Sequence, residues 1–193
     1  MSSSLFPVIV VPVFNAFEAL DICLGSLLKT LPSGARVLLA DDASTDPRVA
    51  DLLVQFKSRA KFHVEIARRD ENLGFPANCN AAFRETGDSD LLLLNSDTIF
   101  TSGCLEKITQ CAASDASIAT ITPWSNNAEI CSYPKFCENN PLPENLDLMA
   151  EAAALITAAD LPELPTAMGF CMWIRRAALR QCGNFDADTF GRG

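Results

Sequence analysis

Hydrophobic and polar residues follow two different periods along the chain, and stretches of the two kinds alternate. Short, continuous apolar runs such as 91–94 are typical of strands buried on both faces of a sheet. Longer stretches such as 17–30 carry apolar residues at intervals of three and four, which is typical of a helix with one buried face. The alternation of strand-like and helix-like stretches predicts an α/β fold.

The pattern also predicts where the individual elements lie. An N-cap at Asp46 followed by Pro47 indicates the start of the second helix. Residues 123–143 lack any regular period, and a loop of that length is usually functional or mobile. The predicted strands are 8–11, 37–40, 62–67, 91–94, 118–122 and 169–174, and the other predicted helices are 17–30, 77–85, 102–113, 146–159 and 175–182.

Polar side chains follow three of the predicted strands at the point where each strand ends. In open α/β sheets, ligands bind in the crevice outside the carboxyl ends of the strands. Oxygen-bearing side chains gathered at such a rim suit a divalent cation and the phosphates that it accompanies. The first strand runs into Pro12 and then Asn15, the second into Asp41 and Asp42, and the strand that begins at Leu91 into Asn95, Ser96 and Asp97. All of these except Pro12 carry a side-chain oxygen.

Two of these carboxylates have distinct candidate roles. Two acidic strand ends in one sheet are costly unless a cation or a hydrogen-bond donor lies between them, which makes Asp97 the candidate metal ligand. Asp42 is better placed to accept a hydrogen bond from a nucleobase imide, because a carboxylate only accepts. Taken alone, the segment 41–44 fits a polar turn that satisfies backbone amides equally well.

A charged segment, 68–74, follows the third predicted strand and is expected near the same rim. Arg68 or Arg69 is suited to pair with a pyrophosphate through two hydrogen bonds, and Gly74 would allow a close backbone approach. Asn72 belongs to the same segment. A solvated turn is the plain alternative for such a sequence.

Composition narrows the function classes. The 193 residues are 49% hydrophobic with a net charge of −9, which argues against nucleic acid or an anionic membrane as the principal partner. The longest N-terminal apolar run, 5–14, is too short to span a bilayer. The eight cysteines form no C-x-x-C pair and lie mostly in apolar runs, as expected in a reducing, cytosolic compartment. The single histidine, His63, has no nucleophile patterned around it, which argues against histidine-based catalysis.

Five segments occur in an order that is more specific than any one of them. They are Val8-Ile9-Val10-Val11-Pro12-Val13-Phe14-Asn15, Asp41-Asp42-Ala43-Ser44-Thr45-Asp46, Asn72-Leu73-Gly74-Phe75, Leu94-Asn95-Ser96-Asp97-Thr98 and Gly169-Phe170-Cys171-Met172. Together they resemble the family 2 glycosyltransferases over essentially the whole chain. Segment 125–128, Ser-Asn-Asn-Ala, is similar to one in bacterial rhamnosyltransferase-like and cell-surface polysaccharide enzymes.

The resemblance implies a GT-A fold, a Rossmann-like three-layer α/β/α domain over residues 1–193 with a central, mainly parallel (mixed) sheet. It implies an inverting enzyme that moves a sugar from a UDP- or dTDP-sugar donor to a hydroxyl of a glycan or lipid-linked acceptor in cell-surface glycan synthesis. Such an enzyme is expected in the cytoplasm or peripherally at the inner face of the membrane. Neither a nucleic-acid partner nor a transmembrane segment in this chain is expected.

The resemblance also assigns roles to residues. It places Pro12, Phe14 and Asp42 in the nucleoside pocket, an arginine at or near Arg68 or Arg69 by the base or phosphates, and Asp97 on Mn²⁺ or Mg²⁺. The metal would stabilise the charge that develops on the leaving diphosphate. This chain departs from the family's usual Asp-x-Asp pattern because Asn95 stands first, which leaves one charge fewer for the metal.

A second departure concerns the general base that an inverting transfer requires. In relatives, an acidic residue shortly after a segment similar to 190–193 serves as this base, so we expect the domain to be incomplete and the base to lie beyond Gly193. Asp186 and Asp188 match the turn before that segment and are not assigned the role. The alternatives are a non-catalytic nucleotide-sugar or metal-binding module and, more weakly supported, a receiver-type signalling domain.

Overall fold

The computed structural model describes residues 6–156 and 161–192. Its strands are β1 Val8–Val13, β2 Arg36–Asp41, β3 His63–Arg68, β4 Leu91–Leu94, β5 Thr120–Ile121 and β6 Cys171–Ile174. Its α-helices are α1 Phe17–Thr30, α2 Pro47–Arg59, α3 Phe75–Glu85, α4 Cys104–Ser114, α5 Leu146–Ala154, α6 Arg176–Cys182 and α7 Ala187–Phe190, with a short 3₁₀ turn at Glu129–Cys131.

The strands form one mixed sheet in the order β3-β2-β1-β4-β6-β5. Strands β1 to β4 are parallel, whereas β6 runs antiparallel to both β4 and β5. β5 therefore has the same direction as β1 to β4, and the carboxyl ends of these five strands lie at one rim. The arrangement confirms the expected α/β sheet, mainly parallel and mixed.

Apolar side chains cover both faces of the sheet. Alternate residues of a strand point to opposite faces, so Ile9 and Val11 pack with α1, α2 and α4, while Val8 and Val10 pack with α3 and α6. Each residue of β1 is buried, as predicted for a central strand from its unbroken apolar run. The two helical layers leave the rim of the sheet as the place where polar groups can gather.

Helix boundaries follow local sequence signals closely. Asp46 caps α2, with its side-chain Oδ1 accepting from the Arg48 backbone N–H at 3.0 Å, and Pro47 occupies the first turn. α3 begins at Phe75 rather than at residue 77 as predicted, because Gly74 is its N-cap and a proline fits the first turn. The signal for this earlier start is the Gly-Phe-Pro sequence itself.

Other elements differ in length from the prediction. β5 has two residues instead of five, and β6 begins two residues later than expected. The helix predicted for 146–159 ends at Ala154, and residues 157–160 lie outside the described residues. α7 was not predicted at all. Across the described ranges, no helix is both long enough and apolar enough to cross a membrane.

The last described residues fold back onto α3. Phe185 stacks on Phe75, with ring centroids 6.4 Å apart, and meets Phe83 edge-on at 5.4 Å. Asn80 secures the same segment, since its side chain donates to the Phe185 carbonyl at 2.8 Å and accepts from the Phe185 N–H at 3.0 Å. The Phe75 N–H donates to the Arg192 carbonyl at 3.0 Å. These contacts bring the C-terminal segment to the rim beside Gly74.

Candidate functional site

The carboxyl end of β2 presents two buried carboxylates, and the first of them shapes the following turn. Asp41 Oδ1 accepts from the Ser44 N–H at 3.0 Å, and Asp41 Oδ2 accepts from the Arg68 guanidinium. Arg68 also donates to the Ser44 carbonyl at 2.8 Å, while its side chain stays half-exposed at the rim. The arginine is thus anchored at the edge of the site with part of its surface open to a ligand.

The second carboxylate, Asp42, holds the loop that follows β3. Its Oδ1 accepts from the Leu73 N–H at 2.8 Å and its Oδ2 from the Gly74 N–H at 2.9 Å, and the residue is only 3% exposed. Asn72 adds a longer contact of 3.4 Å to the Asp42 carbonyl. Each carboxylate oxygen can still accept a second hydrogen bond. The observed contacts make Asp42 a clamp between β2 and the 72–74 loop.

Gly74 permits a close approach between two pieces of backbone. Its φ of +84° lies in the region that favours glycine, and a Cβ added there would lie 2.6 Å from Cα of Arg192. The neighbour that comes close in the structure is the chain's own C-terminal segment. A side chain at position 74 would therefore displace that segment from the rim.

The carboxyl end of β1 contributes one exposed ring and one structural amide. Phe14 is exposed, and Pro12 is buried within the strand. Asn15 Oδ1 accepts from the backbone N–H groups of Thr45 and Asp46, at 2.8 and 2.9 Å. Asn15 thereby ties the end of β1 to the loop after β2, and only Phe14 of these β1-end residues offers an open surface.

Three non-glycine residues with positive φ lie at this part of the rim: Asn15 at 55°, Ala16 at 51° and Ala43 at 57°. The others among the described residues are Glu129 and Cys137, in the loop after β5. A positive φ is energetically unfavourable for such residues, so contacts with the surrounding structure must hold them in this conformation. Residues of this kind are typical of ligand-binding positions. The backbone at the ends of β1 and β2 is therefore held in a fixed, costly shape.

Arg69 does not join this cluster. Its guanidinium donates to Asn78 Oδ1 at 2.9 Å and to the Glu85 carboxylate, and its side chain is largely buried. Asn78 in turn donates to the Ala40 carbonyl at 2.8 Å. Arg69 therefore fastens the end of β3 to α3, and Asn78 fastens α3 to β2. Of the two candidate arginines, only Arg68 faces the rim.

The carboxyl end of β4 carries the remaining candidates. The Asn95 backbone N–H donates to the Phe170 carbonyl at 2.8 Å, and its carbonyl accepts from the Thr98 N–H at 3.1 Å. The buried side-chain oxygen of Asn95 has no hydrogen-bond partner among the described residues. Ser96 is half-buried and Asp97 is exposed. An unpartnered buried oxygen is costly in a folded protein, so Asn95 Oδ1 is suited to receive a ligand.

A buried thiol packs against the residue that follows β4. Cys23 Sγ lies 3.7 Å from the Asn95 carbonyl oxygen, and burial raises the pKa of Cys23 to about 12. The hydrogen bond with the Thr98 backbone acts to lower this pKa, and the neighbouring Asp97 carboxylate contributes to raising it. Cys23 and Cys171 are both buried, as expected for cysteines in apolar runs. Cys23 therefore remains a neutral thiol, and its role is to pack in the core.

Asn95 and Asp97 provide the kind of oxygen ligands that Mg²⁺ and Mn²⁺ prefer. In the part of the chain that the structure describes, no group of three or more His, Cys, Asp and Glu residues is arranged to hold a metal. The donor set therefore fits an ion whose remaining ligands are phosphate oxygens and water. Such partial coordination by protein is usual for Mg²⁺ at phosphate-binding sites.

Asp186 is occupied in capping α7. Its Oδ1 accepts from the Thr189 N–H at 2.9 Å, and the hydrogen bonds from Thr189 lower the pKa of Asp186. A lowered pKa makes the carboxylate a weaker proton acceptor, which disfavours a role as general base.

Sequence reasoning missed several residues that build the site. Ser44, Asn78 and Arg192 each fix part of the rim through contacts with residues distant in the chain. Asn78 lies on the buried face of α3, and a polar residue at a core position of a predicted helix was the available signal. Segment 190–193 resembles a segment of the family, but nothing in its sequence indicates that Arg192 lies against Gly74.

A family model described as glycosyl transferase family 2 matches residues 8–183. No protein in a search of curated sequences matches the chain. The solved structures that are similar include the mannosyltransferase PcManGT from Pyrobaculum calidifontis in complex with GDP-Man and Mn²⁺, at 14% identity and a TM-score of 0.66 over 94% of this chain.

Two further structures are similar at low identity. Residues 1–349 of S. aureus TarS in complex with UDP match 91% of this chain at 18% identity, with a TM-score of 0.63. GalNAc-T7 with UDP, GalNAc and Mn²⁺ matches 96% at 14% identity, with a TM-score of 0.66. The chain spans 47% of the mannosyltransferase, 48% of the TarS chain and 38% of GalNAc-T7, which is about half of their length or less. At these identities the likeness shows the fold.

Proposed function

Since this chain belongs to glycosyl transferase family 2, we propose that it binds a nucleoside diphosphate sugar and takes part in transferring the sugar to a hydroxyl acceptor. The fold is the GT-A fold of its structural neighbours. The observation that carries the proposal is the rim itself, where buried Asp41 and Asp42 adjoin an open edge and Asn95 offers an unpartnered oxygen beside exposed Asp97. Ligands of α/β sheets bind at such an edge.

The donor class is supported by what similar proteins hold. PcManGT was solved with GDP-Man and Mn²⁺, and TarS with UDP. For this chain we propose a UDP- or dTDP-sugar, because the Asp42 carboxylate can accept from the imide N–H that uracil and thymine share. Adenine has no such imide, because its ring nitrogen N1 is an acceptor that a carboxylate repels, whereas guanine carries an N1–H that a carboxylate can also accept from.

The proposed roles divide the rim into three parts. Pro12, Phe14 and Asp42 would form the nucleoside side, and Arg68 would approach the phosphates from the edge of the turn. Asn95 and Asp97 would hold Mn²⁺ or Mg²⁺, which when bound stabilises negative charge on the departing diphosphate. The remaining candidates shape the backbone around these groups: Asn15, Asp41, Asn72, Gly74 and Ser96.

The transfer that we propose is inverting, to a glycan or lipid-linked acceptor in cell-surface glycan synthesis, and residues 1–193 would belong to a single domain that carries the donor site and extends to a base beyond Gly193. The protein would act in the cytoplasm or peripherally at the inner face of the membrane. Proton removal from the acceptor hydroxyl requires a general base. Asp186 is not proposed for it, because its hydrogen bonds with Thr189 lower its pKa.

Calorimetric titration of the protein with UDP, dTDP, GDP and ADP tests the donor-binding part of the proposal. We expect UDP or dTDP to bind in the presence of Mn²⁺, more weakly after chelation of the metal, and more tightly than ADP. If none of the four nucleotides binds in the presence of Mn²⁺, the proposed function is refuted. Release of UDP or dTDP from the sugar nucleotide over time would distinguish a transferase from a non-catalytic binding module.

Asn95→Asp should strengthen metal binding, because it restores a second carboxylate beside Asp97. Ligand charge sets the affinity of oxygen sites for hard cations, and we expect an increase of about tenfold in Mn²⁺ affinity in the presence of UDP. Electron paramagnetic resonance of free Mn²⁺ measures this without any enzymatic assay. Unchanged or weaker Mn²⁺ binding in a folded Asn95→Asp protein would remove Asn95 from the proposed metal site.

A further inference from the structure

Two aromatic rings stand exposed on the loop that follows β5. Trp124 is 47% exposed and Tyr133 is 50% exposed, and their ring centroids lie 6.3 Å apart at an angle of 56°. The chain's other tryptophan, Trp173, is buried in the core. Large rings are rarely left open in pairs without a partner, because each exposes considerable apolar surface to water.

Strand register places this pair at the same rim as Asp97. Ile121 of β5 and Leu92 of β4 both pair with Trp173 of β6, so the two outer strands are level. β5 ends at Ile121, so the chain that carries Trp124 leaves the sheet at the same rim as the end of β4, which Asn95 follows. In the sheet, β6 alone lies between β4 and β5.

The segment leading into β6 contacts both the chain after β5 and the residue that follows β4. The Thr122 hydroxyl accepts from the Met168 N–H at 3.1 Å, and the Asn95 N–H donates to the Phe170 carbonyl at 2.8 Å. The chain after β5 is therefore still tied to this segment just before Trp124. The loop that carries the aromatic pair therefore begins close to the end of β4, on the side of β4 opposite to β2.

Hydrogen bonds hold the loop that carries the rings. The Tyr133 N–H donates to the Ser125 carbonyl at 2.8 Å, and the Ser125 N–H donates to the Cys131 carbonyl at 3.0 Å. Asn140, which is buried, donates through Nδ2 to the carbonyls of Asn126 and Lys135 at 3.2 and 2.9 Å. The rings thus project from a braced scaffold, which lowers the entropy lost when a ligand stacks on them.

We propose that Trp124 and Tyr133 form a platform on which a pyranose ring of the acceptor stacks; this rests on the proposed function. A pyranose presents a face of C–H groups, which suits an aromatic ring, and a border of hydroxyls. The exposed amide of Asn127, three residues from Trp124, can both donate to and accept from such hydroxyls. A lipid chain would leave that amide without a partner, and the net charge of −9 disfavours an anionic bilayer.

The test uses small sugars and intact protein. The methyl glycosides of glucose, mannose, galactose, rhamnose and N-acetylglucosamine are titrated in the presence of UDP and Mn²⁺, and binding is followed by saturation-transfer NMR. At least one glycoside should bind, and Trp124→Ala should weaken it on the order of tenfold, since one ring contact contributes about 0.5–1.5 kcal/mol beyond its buried area. Trp124→Phe should retain most of the binding.

Matched variants separate stacking from general damage to the loop. Phe136→Ala removes another exposed ring of the same loop and should leave glycoside binding unchanged. Tyr133→Ala should weaken binding independently and keeps the test valid where Trp124→Ala fails to fold. UDP affinity should be the same in every folded variant, because the platform lies outside the donor site.

Equal glycoside binding by folded Trp124→Ala and the unaltered protein would overturn the platform. So would failure of all five glycosides to bind while phosphatidylglycerol vesicles bind through Trp124, since the pair would then face lipid. Failure of UDP to bind while Trp124-dependent glycoside binding persists would instead count against the proposed donor site. The two proposals can therefore fail separately.

Discussion

Asp97→Asn should abolish the Mn²⁺-dependent part of UDP binding while leaving the fold intact. Asp97 is exposed at the end of β4, so its carboxylate supports no core contact that the substitution would break. It is the one charged ligand in the proposed donor set, and the amide replacement removes that charge without changing shape. Loss of an outer partner of a metal site already costs about 10–100-fold in affinity, so we expect a loss on the order of 100-fold or more.

Asp88→Asn is the matched control for this prediction. Asp88 precedes β4 and therefore lies near the amino end of that strand, opposite to the rim. Its highly exposed carboxylate contacts Arg180. The substitution makes the same change in net charge, and an exposed ion pair contributes little to stability. Calorimetry with and without Mn²⁺ should therefore separate the two variants. Full Mn²⁺ dependence in Asp97→Asn would show that another group holds the metal.

The strands and the rim could be predicted because their causes are local. An unbroken apolar run such as Val8–Val11 is stable in water only when both faces are covered, and parallel strands of one sheet end at a common edge. The polar residues that follow such runs are therefore brought together at this edge, independently of the conformation of the loops. The family 2 motifs added the fold, which the family model and the structural neighbours support.

The separate roles of the individual rim residues could not be predicted, because these roles depend on contacts between residues that are distant in the sequence. Arg68 and Arg69 are adjacent and chemically alike, yet strand alternation sends one to the rim and the other to Glu85 on α3. Gly74 suggested a close approach, but only the folded chain shows that Arg192 is the neighbour. Side-chain partners of this kind leave no periodic trace in sequence.

Asp42 illustrates the same limit and leads to the second large effect. A carboxylate at a strand end suits a nucleobase imide, but in the structure its two oxygens accept from the Leu73 and Gly74 N–H groups. Asp42→Ala would leave both donors without their acceptor. A buried donor that loses its partner costs about 1–3 kcal/mol, so we expect the free energy of unfolding to fall by about 2–5 kcal/mol. Urea denaturation without nucleotide measures this loss.

Asp46→Ala is the control for stability, and Asp42→Asn tests the role in base selection. Asp46 accepts from one backbone N–H at the exposed start of α2, so its loss should cost less than that of Asp42. Asp42→Asn keeps the shape of the side chain but sets an amide N–H₂ group against one of the two backbone donors. If Asp42 also accepts from the imide of a pyrimidine, this variant should lose the preference for UDP over ADP. An unchanged preference together with reduced stability would make Asp42 a clamp for the 72–74 loop and leave base selection to other residues.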